Sequence, residues 1–237
     1  MIKNNYPGKF IVFEGIDGSG KSTQTNLLAD YLKKEGYKVE KIDFPQHGER
    51  SSVLVDDYLN GKYGAAKEVG PYVVSIFYAC DRYDASFKIR KWLKEGKIII
   101  SDRYMVSNMG HQGGKIKDKK NREKYFDWLY NLEYDIFKIP KPDYTYILKT
   151  SAEFSLKMSH DIKDKEKLKK RKSYLGNKKR DIHEKDRKHQ SETLNSFLHV
   201  AKLYPKEFKV IECLEKEKLL SPDIIHKKII KEVSNIL

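Results

Sequence analysis

A run of residues near the start of the chain has the types and spacing needed to bind phosphate groups. It extends from Gly15 to Ser22 as Gly-Ile-Asp-Gly-Ser-Gly-Lys-Ser and matches the pattern Gly-x-x-x-x-Gly-Lys-Ser. Glycines allow backbone N–H groups to curl around a polyphosphate, and the free N–H groups at the start of a helix point towards it. In such a loop, Lys21 would reach the β- and γ-phosphates, and the Ser22 hydroxyl would ligate Mg²⁺.

The segments on either side place this pattern between a strand and a helix. The apolar run 10–13 is typical of a short buried strand, and apolar side chains recur at helical spacing within 23–32. The pattern binds phosphate when it lies between a strand and a helix. The alternative is that the same residues form only a tight turn. The residues expected to bind ATP are Gly15, Ile16, Asp17, Gly18, Ser19, Gly20, Lys21, Ser22 and Thr23.

Strands and helices alternate along the whole chain. Strands are predicted at 10–13, 37–44, 97–102, 144–148 and 208–211, and helices at 23–32, 52–59, 71–93, 181–203 and from Ser221-Pro222 onwards. This order predicts an α/β protein with a three-layer P-loop NTPase fold, in which helices flank a five-stranded parallel sheet. Because ligands bind at the carboxyl ends of parallel strands, the phosphate loop, Phe44-Pro45 and Asp102-Arg103 should converge. A glycine-containing loop is expected at 110–114.

The composition is that of a globular protein with a heavily charged surface. Of 237 residues, 39% are hydrophobic and 35% are charged. This length suits a single domain over 1–237. No apolar run is long enough to cross a membrane, and the N-terminus lacks the apolar core of a signal peptide. The only two cysteines lie far apart in apolar sequence, so we expect free thiols and a cytoplasmic location.

The net charge of +14 has three possible explanations. It could reflect nucleic-acid binding, simultaneous binding of two anionic nucleotides, or a lysine-rich solvated surface. Positive charge is densest between Lys163 and Lys188, so the excess is partly local. The segment from Lys163 to Arg180 has little apolar periodicity, and we interpret it as a mobile insertion after the fourth strand.

The motifs together resemble those of the thymidylate kinase family, whose members transfer the γ-phosphate of ATP to dTMP. The phosphate loop alone is shared by many families, whereas Ser101-Asp102-Arg103-Tyr104 and the spacing from Tyr78 to Arg82 are more specific. The resemblance covers nearly the whole chain in the expected order. The matching segments are 13–23, 44–45, 77–82, 101–104 with Ser107 and Gln112, 142–144 and 181–184.

The resemblance implies an acceptor site for dTMP. Asp17 would bind the sugar 3′-hydroxyl, and Arg103 would hold the dTMP phosphate, to which a guanidinium offers a planar fork of donors. Tyr78 would stack on thymine, Arg82 would bind its carbonyl edge, and Asp102 would lie near Mg²⁺. Each also has an ordinary structural role as its alternative, such as a turn, a core position or a surface charge. The implied acceptor-binding residues are Asp17, Phe44, Pro45, His47, Tyr78, Arg82, Arg103, Asn108, His111 and Gln112.

The chain departs from the family pattern at several positions. His47 stands where the family often has Tyr or Arg, and His111 replaces the aromatic residue beside the sugar 2′ position. Gly18 occupies the phosphate-loop position at which some members carry an arginine. Members without that arginine supply cations from a lid after the fourth strand, here about 151–180.

The lid leads to a set of residues expected to act in transfer. Arg171 and Arg180 would close over ATP, with Lys178 as a further candidate. The full set is Lys21, Asp17, Arg103, Arg171 and Arg180. The resemblance also implies a homodimer through the long helix 71–93.

Three other functions remain open from the sequence. The nearest is a kinase for another nucleoside or nucleoside monophosphate on the same fold. A nucleic-acid-stimulated ATPase would fit the net charge, but Arg103 suits an anionic acceptor better than it suits water activation, so nucleic acid is not expected as a partner. A catalytically inactive binding module is disfavoured by Lys21, Ser22, Asp102 and Arg103.

Overall fold

The computed structural model describes residues 4–160 and 187–234, with a parallel sheet at the centre. Its strands are β1 (Lys9–Glu14), β2 (Val39–Asp43), β3 (Ile98–Asp102), β4 (Tyr144–Lys149) and β5 (Phe208–Glu212). They lie in the order β2-β3-β1-β4-β5, and all four neighbouring pairs are parallel. The predicted five-stranded parallel α/β sheet is therefore confirmed.

Helices pack on both sides of this sheet. They are α1 (Lys21–Lys34), α2 (Val53–Leu59), α3 (Ala66–Val69), α4 (Pro71–Lys94), α5 (Val106–His111), α6 (Lys119–Tyr130), α7 (Ala152–His160), α8 (Arg187–Leu203) and α9 (Pro222–Val233). A π-helical turn, Asn131–Ile136, continues α6, and 3₁₀ turns lie at Arg50–Ser52 and Gly113–Lys115. The predicted boundaries of α4 and α9 agree closely, because Pro71 and Pro222 are each a first helical residue. A small antiparallel hairpin, β6 (Leu214–Glu215) with β7 (Lys218–Leu219), was not predicted, since each strand has only two residues.

The two faces of the sheet bury separate apolar clusters. Phe10 and Val12 of β1 face one cluster, which is filled from α4, α5, α6 and α8. Ile11 and Phe13 face the other, which is filled from α1 and α9. This alternation follows from the period of two in a strand, and burial on both faces explains why residues 10–13 of β1 are all apolar. Each fully buried side chain of this size contributes about 1.5–3 kcal/mol. The core thereby fixes the strand ends that carry the candidate site.

The glycines at 110–114 serve helix packing, so the loop expected there is wrong. Gly110 lies within α5, where an added Cβ would approach the Phe197 ring of α8 to 2.3 Å. At Gly114 it would lie 3.0 Å from the backbone of Glu192. These glycines therefore allow α8 to approach closely, and no local signal distinguishes this use from a turn.

Several sequence-based predictions lie outside the described residues. They are the basic segment 163–180, including Arg171, Lys178 and Arg180, and the start of the helix predicted at 181–203. Within 4–160 and 187–234, no helix is both long enough and apolar enough to cross a bilayer.

Candidate active site

The phosphate loop lies between β1 and α1, with its backbone packed closely against neighbouring chain. Gly15 has φ +143°, and an added Cβ would lie 2.8 Å from the Leu148 carbonyl oxygen. Gly18 has φ +81°, and its Cβ would meet the Ser155 carbonyl oxygen at 2.2 Å. Both conformation and space thus require glycine at these positions. An arginine at position 18 could not be placed here without moving α7.

Lys21 lies over this loop, held by the loop's own carbonyl groups. Its Nζ donates to Gly15 O at 3.0 Å and to Ile16 O at 2.8 Å. Burial lowers the pKa of Lys21 to about 8, Arg103 acts in the same direction, and Asp102 opposes both. A buried ammonium at the start of a helix is suited to neutralising a polyphosphate.

Arg103 lies directly beside the loop and has an unusual backbone conformation. Its φ is +72°, a region that residues other than glycine seldom adopt. Its N–H donates to Phe13 O at 2.9 Å, which fixes it to the end of β1. Nη2 donates to the Asp17 carboxylate, and Nη1 donates to His111 Nε2 at 2.9 Å. The guanidinium is therefore positioned between the phosphate loop and α5.

Asp17 is held from a second side by Gln190 of α8. Gln190 Nε2 donates to Asp17 Oδ2 at 3.2 Å, and Asp17 N–H donates to Gln190 Oε1 at 3.3 Å. Burial acts to raise the pKa of Asp17, but the neighbouring Arg103 charge outweighs it and holds that pKa well below its usual range. The carboxylate is thus a permanent acceptor, as binding a sugar hydroxyl requires.

His111 lies against Arg103 as a neutral hydrogen-bond acceptor. Burial, together with the neighbouring Arg103 charge, holds the pKa of His111 well below 6.5. Because Nε2 accepts from Arg103, the ring proton is on Nδ1. The proposed role of His111 beside the sugar stays a prediction, and its contact in the structure is with the arginine.

Ser22 and Asp102 are suited to holding Mg²⁺. Asp102 ends β3, and Ser22 lies in the first turn of α1; both side chains are half-buried. Among the described residues, no side chain forms a hydrogen bond or ion pair with the Asp102 carboxylate or the Ser22 hydroxyl. A carboxylate and a hydroxyl are oxygen donors of the kind that Mg²⁺ prefers, so the residues fit the ion.

The apolar residues expected to line an acceptor site lie beside this polar centre. Phe44 is 4% exposed and packs edge-on against the Tyr104 ring, with centroids 5.4 Å apart. Pro45 follows it through a cis peptide bond. Tyr78 of α4 is half-buried and packs against a cluster contributed mainly by α2. Phe44 is thus mainly a core residue, while Pro45 and Tyr78 keep exposed surface.

The loop after Phe44-Pro45 is fixed to α2 and α4 by carboxylates. His47 Nδ1 hydrogen-bonds with Asp56, whose other oxygen accepts from Ser52 Oγ at 3.0 Å. The N–H of Gln46 donates to Asp81 at 2.9 Å. His47 therefore lies in a polar network at the expected acceptor side, and its contact with a phosphate stays a prediction.

Arg82 forms a buried ion pair that the sequence did not predict. It is 1% exposed, and Nε and Nη2 donate to the two oxygens of Glu133 at 2.6 and 2.7 Å. Nη1 lies 3.5 Å from Tyr104 O, at the limit of a hydrogen bond. The sequence-based assignment of Arg82 as a base-reading residue overlooked this buried ion pair, because Glu133 is distant in the chain. Only Nη1 remains for a base, so that contact stays a prediction.

Asn108 and Gln112, two further residues expected to bind the acceptor, are both buried. Asn108 is 2% exposed, and its Nδ2 donates to Ser75 O at 3.2 Å. Gln112 is 1% exposed and accepts from Lys115 Nζ at 2.6 Å. Lys115 also donates to Tyr58 Oη at 3.0 Å, and burial lowers the pKa of Lys115 to about 8. The amide of Gln112 is therefore oriented by a cation that sequence reasoning did not select.

Glu14, Glu133 and Gln190 were also missed. Glu14 is completely buried at the end of β1 and accepts from Tyr104 and Ser107. Its signal was present, since an acid ends an otherwise apolar strand just before the glycine loop. Glu133 and Gln190 carry no such signal, because only the tertiary fold brings them to Arg82 and Asp17.

Comparison with known proteins identifies the same family throughout. The sequence model of the family described as thymidylate kinase matches residues 13–224. A probable thymidylate kinase of Thermococcus kodakarensis is 30% identical over 235 residues, covering 96% of this chain and 98% of the relative. A thymidylate kinase of Plasmodium falciparum is 28% identical over 155 residues, covering 65% of this chain and 68% of that protein.

Solved structures agree on the fold. The thymidylate kinase of Candida albicans superposes with a TM-score of 0.67 at 23% identity, covering 96% of this chain and 92% of that one. That of Ehrlichia chaffeensis gives 0.61 at 24% identity, with coverage of 95% and 98%. The family match spans the phosphate loop, the Arg103 loop and the start of α9, so the order of motifs and the fold agree. The chain belongs to the thymidylate kinase family.

Proposed function

We propose that this chain transfers the γ-phosphate of ATP to dTMP, giving dTDP and ADP. The observation that carries this proposal is the position of Arg103, whose guanidinium is tied to Asp17 of the phosphate loop. A planar fork of donors at that place suits the phosphate of an acceptor nucleotide. The relatives named thymidylate kinase support dTMP as that acceptor.

In the proposed reaction, the protein aligns two phosphates and stabilises charge. An oxygen of the acceptor phosphate forms a bond to the γ-phosphorus as the bond to the β,γ-bridging oxygen breaks, and ADP leaves with that oxygen. Lys21 stabilises charge on the β- and γ-phosphates, and Arg103 orients the acceptor phosphate. Asp17 accepts a hydrogen bond from the sugar 3′-hydroxyl. No covalent intermediate with the protein is required.

Mg²⁺ would be held by Ser22 and Asp102. Bound there, the ion would supply positive charge that neutralises the phosphates of ATP. Activity that persists in excess chelator would argue against a requirement for the ion.

We assign the cations of the lid from sequence. Gly18 leaves the loop without an arginine, so Arg171 and Arg180 would supply charge to the transferring phosphoryl group. An arginine in that role is worth about a thousandfold or more in rate. Unchanged turnover in Arg171→Ala and Arg180→Ala, singly and together, would exclude it.

We also propose a single-domain, cytoplasmic homodimer that pairs through α4. The apolar side chains on one face of this helix are about half exposed, which is typical of an interaction surface. They are Tyr72 at 42%, Ile76 at 40%, Tyr83 at 43% and Phe87 at 60%. Recovery of the protein in a membrane fraction would contradict the location.

A panel of acceptors tests the proposed function. ADP release would be measured with ATP and, separately, dTMP, dUMP, dCMP, dGMP, dAMP, UMP and thymidine. We expect the highest kcat/KM with dTMP. A higher value with another acceptor would assign the chain a different substrate. Hydrolysis that depends on added DNA and not on dTMP would instead support an ATPase.

A further inference from the structure

Glu14 is a buried carboxylate whose side-chain hydrogen bonds, among the described residues, all go to the loop carrying Arg103. Both oxygens are used: Oε1 accepts from the N–H groups of Tyr104 at 2.7 Å and Ser107 at 2.9 Å, and Oε2 accepts from Ser107 Oγ at 2.6 Å. The side chain is 0% exposed. Burying a carboxylate is unfavourable unless such bonds compensate for lost hydration, and bonds to an ionised acceptor are stronger than neutral ones.

The place of Glu14 in the chain links it to both proposed phosphate-binding cations. The residue before it, Phe13, accepts the N–H of Arg103 at 2.9 Å. The residue after it, Gly15, accepts from Lys21 Nζ at 3.0 Å. The short segment Phe13–Gly15, where β1 ends, therefore holds the Arg103 loop and the phosphate-loop lysine at the same time.

The conformation of Arg103 explains why such a clamp is needed. Its φ of +72° is disfavoured for an arginine, so the backbone must be held on both sides. On the N-terminal side of the Arg103 Cα atom, Phe13 O accepts the Arg103 N–H. On the C-terminal side, the Glu14 carboxylate accepts the N–H groups of Tyr104 and Ser107.

The positive charges of Lys21 and Arg103 also lie close to Glu14. Lys21 and Arg103 both lie near enough to lower the pKa of Glu14, although burial raises it to about 7. Glu14 touches neither of these cations by a hydrogen bond in the part of the chain that the structure describes. Its bonds act on the backbone that carries Arg103.

We propose that Glu14 is a positioning residue that sets the Arg103 guanidinium relative to Lys21, and with it the alignment of acceptor and donor phosphates. This proposal rests on the proposed function, in which Arg103 holds the acceptor phosphate. A displacement of about 1 Å in such a group can cost about a hundredfold in rate. The effect should therefore appear in acceptor kinetics and depend on Arg103.

The test compares Glu14→Gln and Glu14→Ala in the wild-type chain and in an Arg103→Ala chain. The kinetics are measured at pH 8, above the Glu14 pKa of about 7, so that the wild-type carboxylate is ionised. Glutamine keeps the shape and can accept both N–H bonds but lacks the charge, whereas alanine removes these bonds. With Arg103 present, we expect kcat/KM for dTMP to fall about tenfold in Glu14→Gln and about a hundredfold in Glu14→Ala, with KM for ATP nearly unchanged. In the Arg103→Ala chain, neither Glu14 substitution should reduce the residual kcat/KM further.

The same loss in both chains would overturn the proposal, because Glu14 would then act independently of Arg103. A second pair of results would also overturn the proposal. In it, Glu14→Gln keeps wild-type kinetics, and Glu14→Ala changes kcat/KM for ATP and for dTMP by the same factor. If Glu14→Ala does not fold, the Glu14→Gln pair alone decides, since its fall must vanish without Arg103. If the wild-type chain prefers another acceptor, the proposed function fails by itself and the series is run with that acceptor.

Discussion

Arg103 donates a hydrogen bond to the carboxylate of Asp17, and this pair joins the loop after β3 to the phosphate loop. The same guanidinium donates to His111 at 2.9 Å, so its plane is fixed in two directions. A rigid arginine loses less freedom when it binds a phosphate than a flexible one does. In the proposed function, acceptor binding and donor binding would therefore use one connected set of side chains.

Lys21→Met should abolish transfer while the fold remains intact. The substitution removes the charge expected at the β- and γ-phosphates, and we expect turnover to fall by at least about a hundredfold. ADP production measured with dTMP gives the loss, and circular dichroism with thermal unfolding checks the fold. Lys33→Met, on the exposed last turn of α1, is the matched control and should keep wild-type turnover. A folded Lys21→Met protein with near-normal turnover would exclude the phosphate-loop assignment.

Breaking the buried ion pair between Arg82 and Glu133 should strongly lower the free energy of unfolding. Glu133→Gln leaves the Arg82 guanidinium buried and unpaired, so we expect a loss of about 3–5 kcal/mol in the free energy of unfolding. Replacing both partners, as Arg82→Met with Glu133→Leu, should restore most of it. Urea denaturation measures each value.

The control for this pair is Glu95→Gln, which breaks an exposed ion pair with Lys97 at 3.1 Å. We expect less than about 1 kcal/mol there. If Glu133→Gln and Glu95→Gln lower the free energy of unfolding equally, the buried Arg82–Glu133 pair contributes no more than an exposed ion pair, which would contradict the prediction.

The fold was predictable because its signals are local. Apolar runs predicted the strands, and Pro71 and Pro222 predicted where two helices begin. The alternation of strands and helices predicted the parallel sheet. The phosphate loop is likewise a continuous motif. Gly110 was misassigned for the opposite reason, since Phe197, which decides its role, is distant in sequence. The ion pair between Arg82 and Glu133 was missed for the same reason. A residue type alone does not show whether an arginine faces a ligand or a buried acid.

Glu14 should make the stability of the fold fall as pH rises towards neutrality. Burial raises its pKa in the folded protein to about 7, above its ordinary value of 4.5, so the folded state holds the proton over a range where the unfolded chain has lost it. That contribution is lost between these values, by up to about 3 kcal/mol. Glu14→Gln has no such proton.

Urea denaturation at pH 5 and pH 8 measures this effect. We expect the unfolding free energy of Glu14→Gln to increase relative to wild type from pH 5 to pH 8, with Glu95→Gln as the control. A constant difference between Glu14→Gln and wild type at both pH values would show that Glu14 does not titrate in this range.

Phe87→Arg should convert the proposed dimer to a monomer. Phe87 is 60% exposed on the apolar face of α4, and a charge there would have to be buried at the interface. Size-exclusion chromatography with light scattering gives the mass. Ile224→Arg is the matched control, because Ile224 is 46% exposed on α9, across the sheet, and should leave the mass unchanged. A monomeric wild-type protein, or a Phe87→Arg dimer, would contradict pairing through α4.

The most direct test of the proposed function is identification of the products formed from ATP labelled on its γ-phosphate. With dTMP present, we predict that the label appears in the β-phosphate of dTDP, with one ADP formed for each dTDP. Recovery of the label as inorganic phosphate, with no labelled dTDP, would contradict the assignment of Arg103 to an acceptor phosphate.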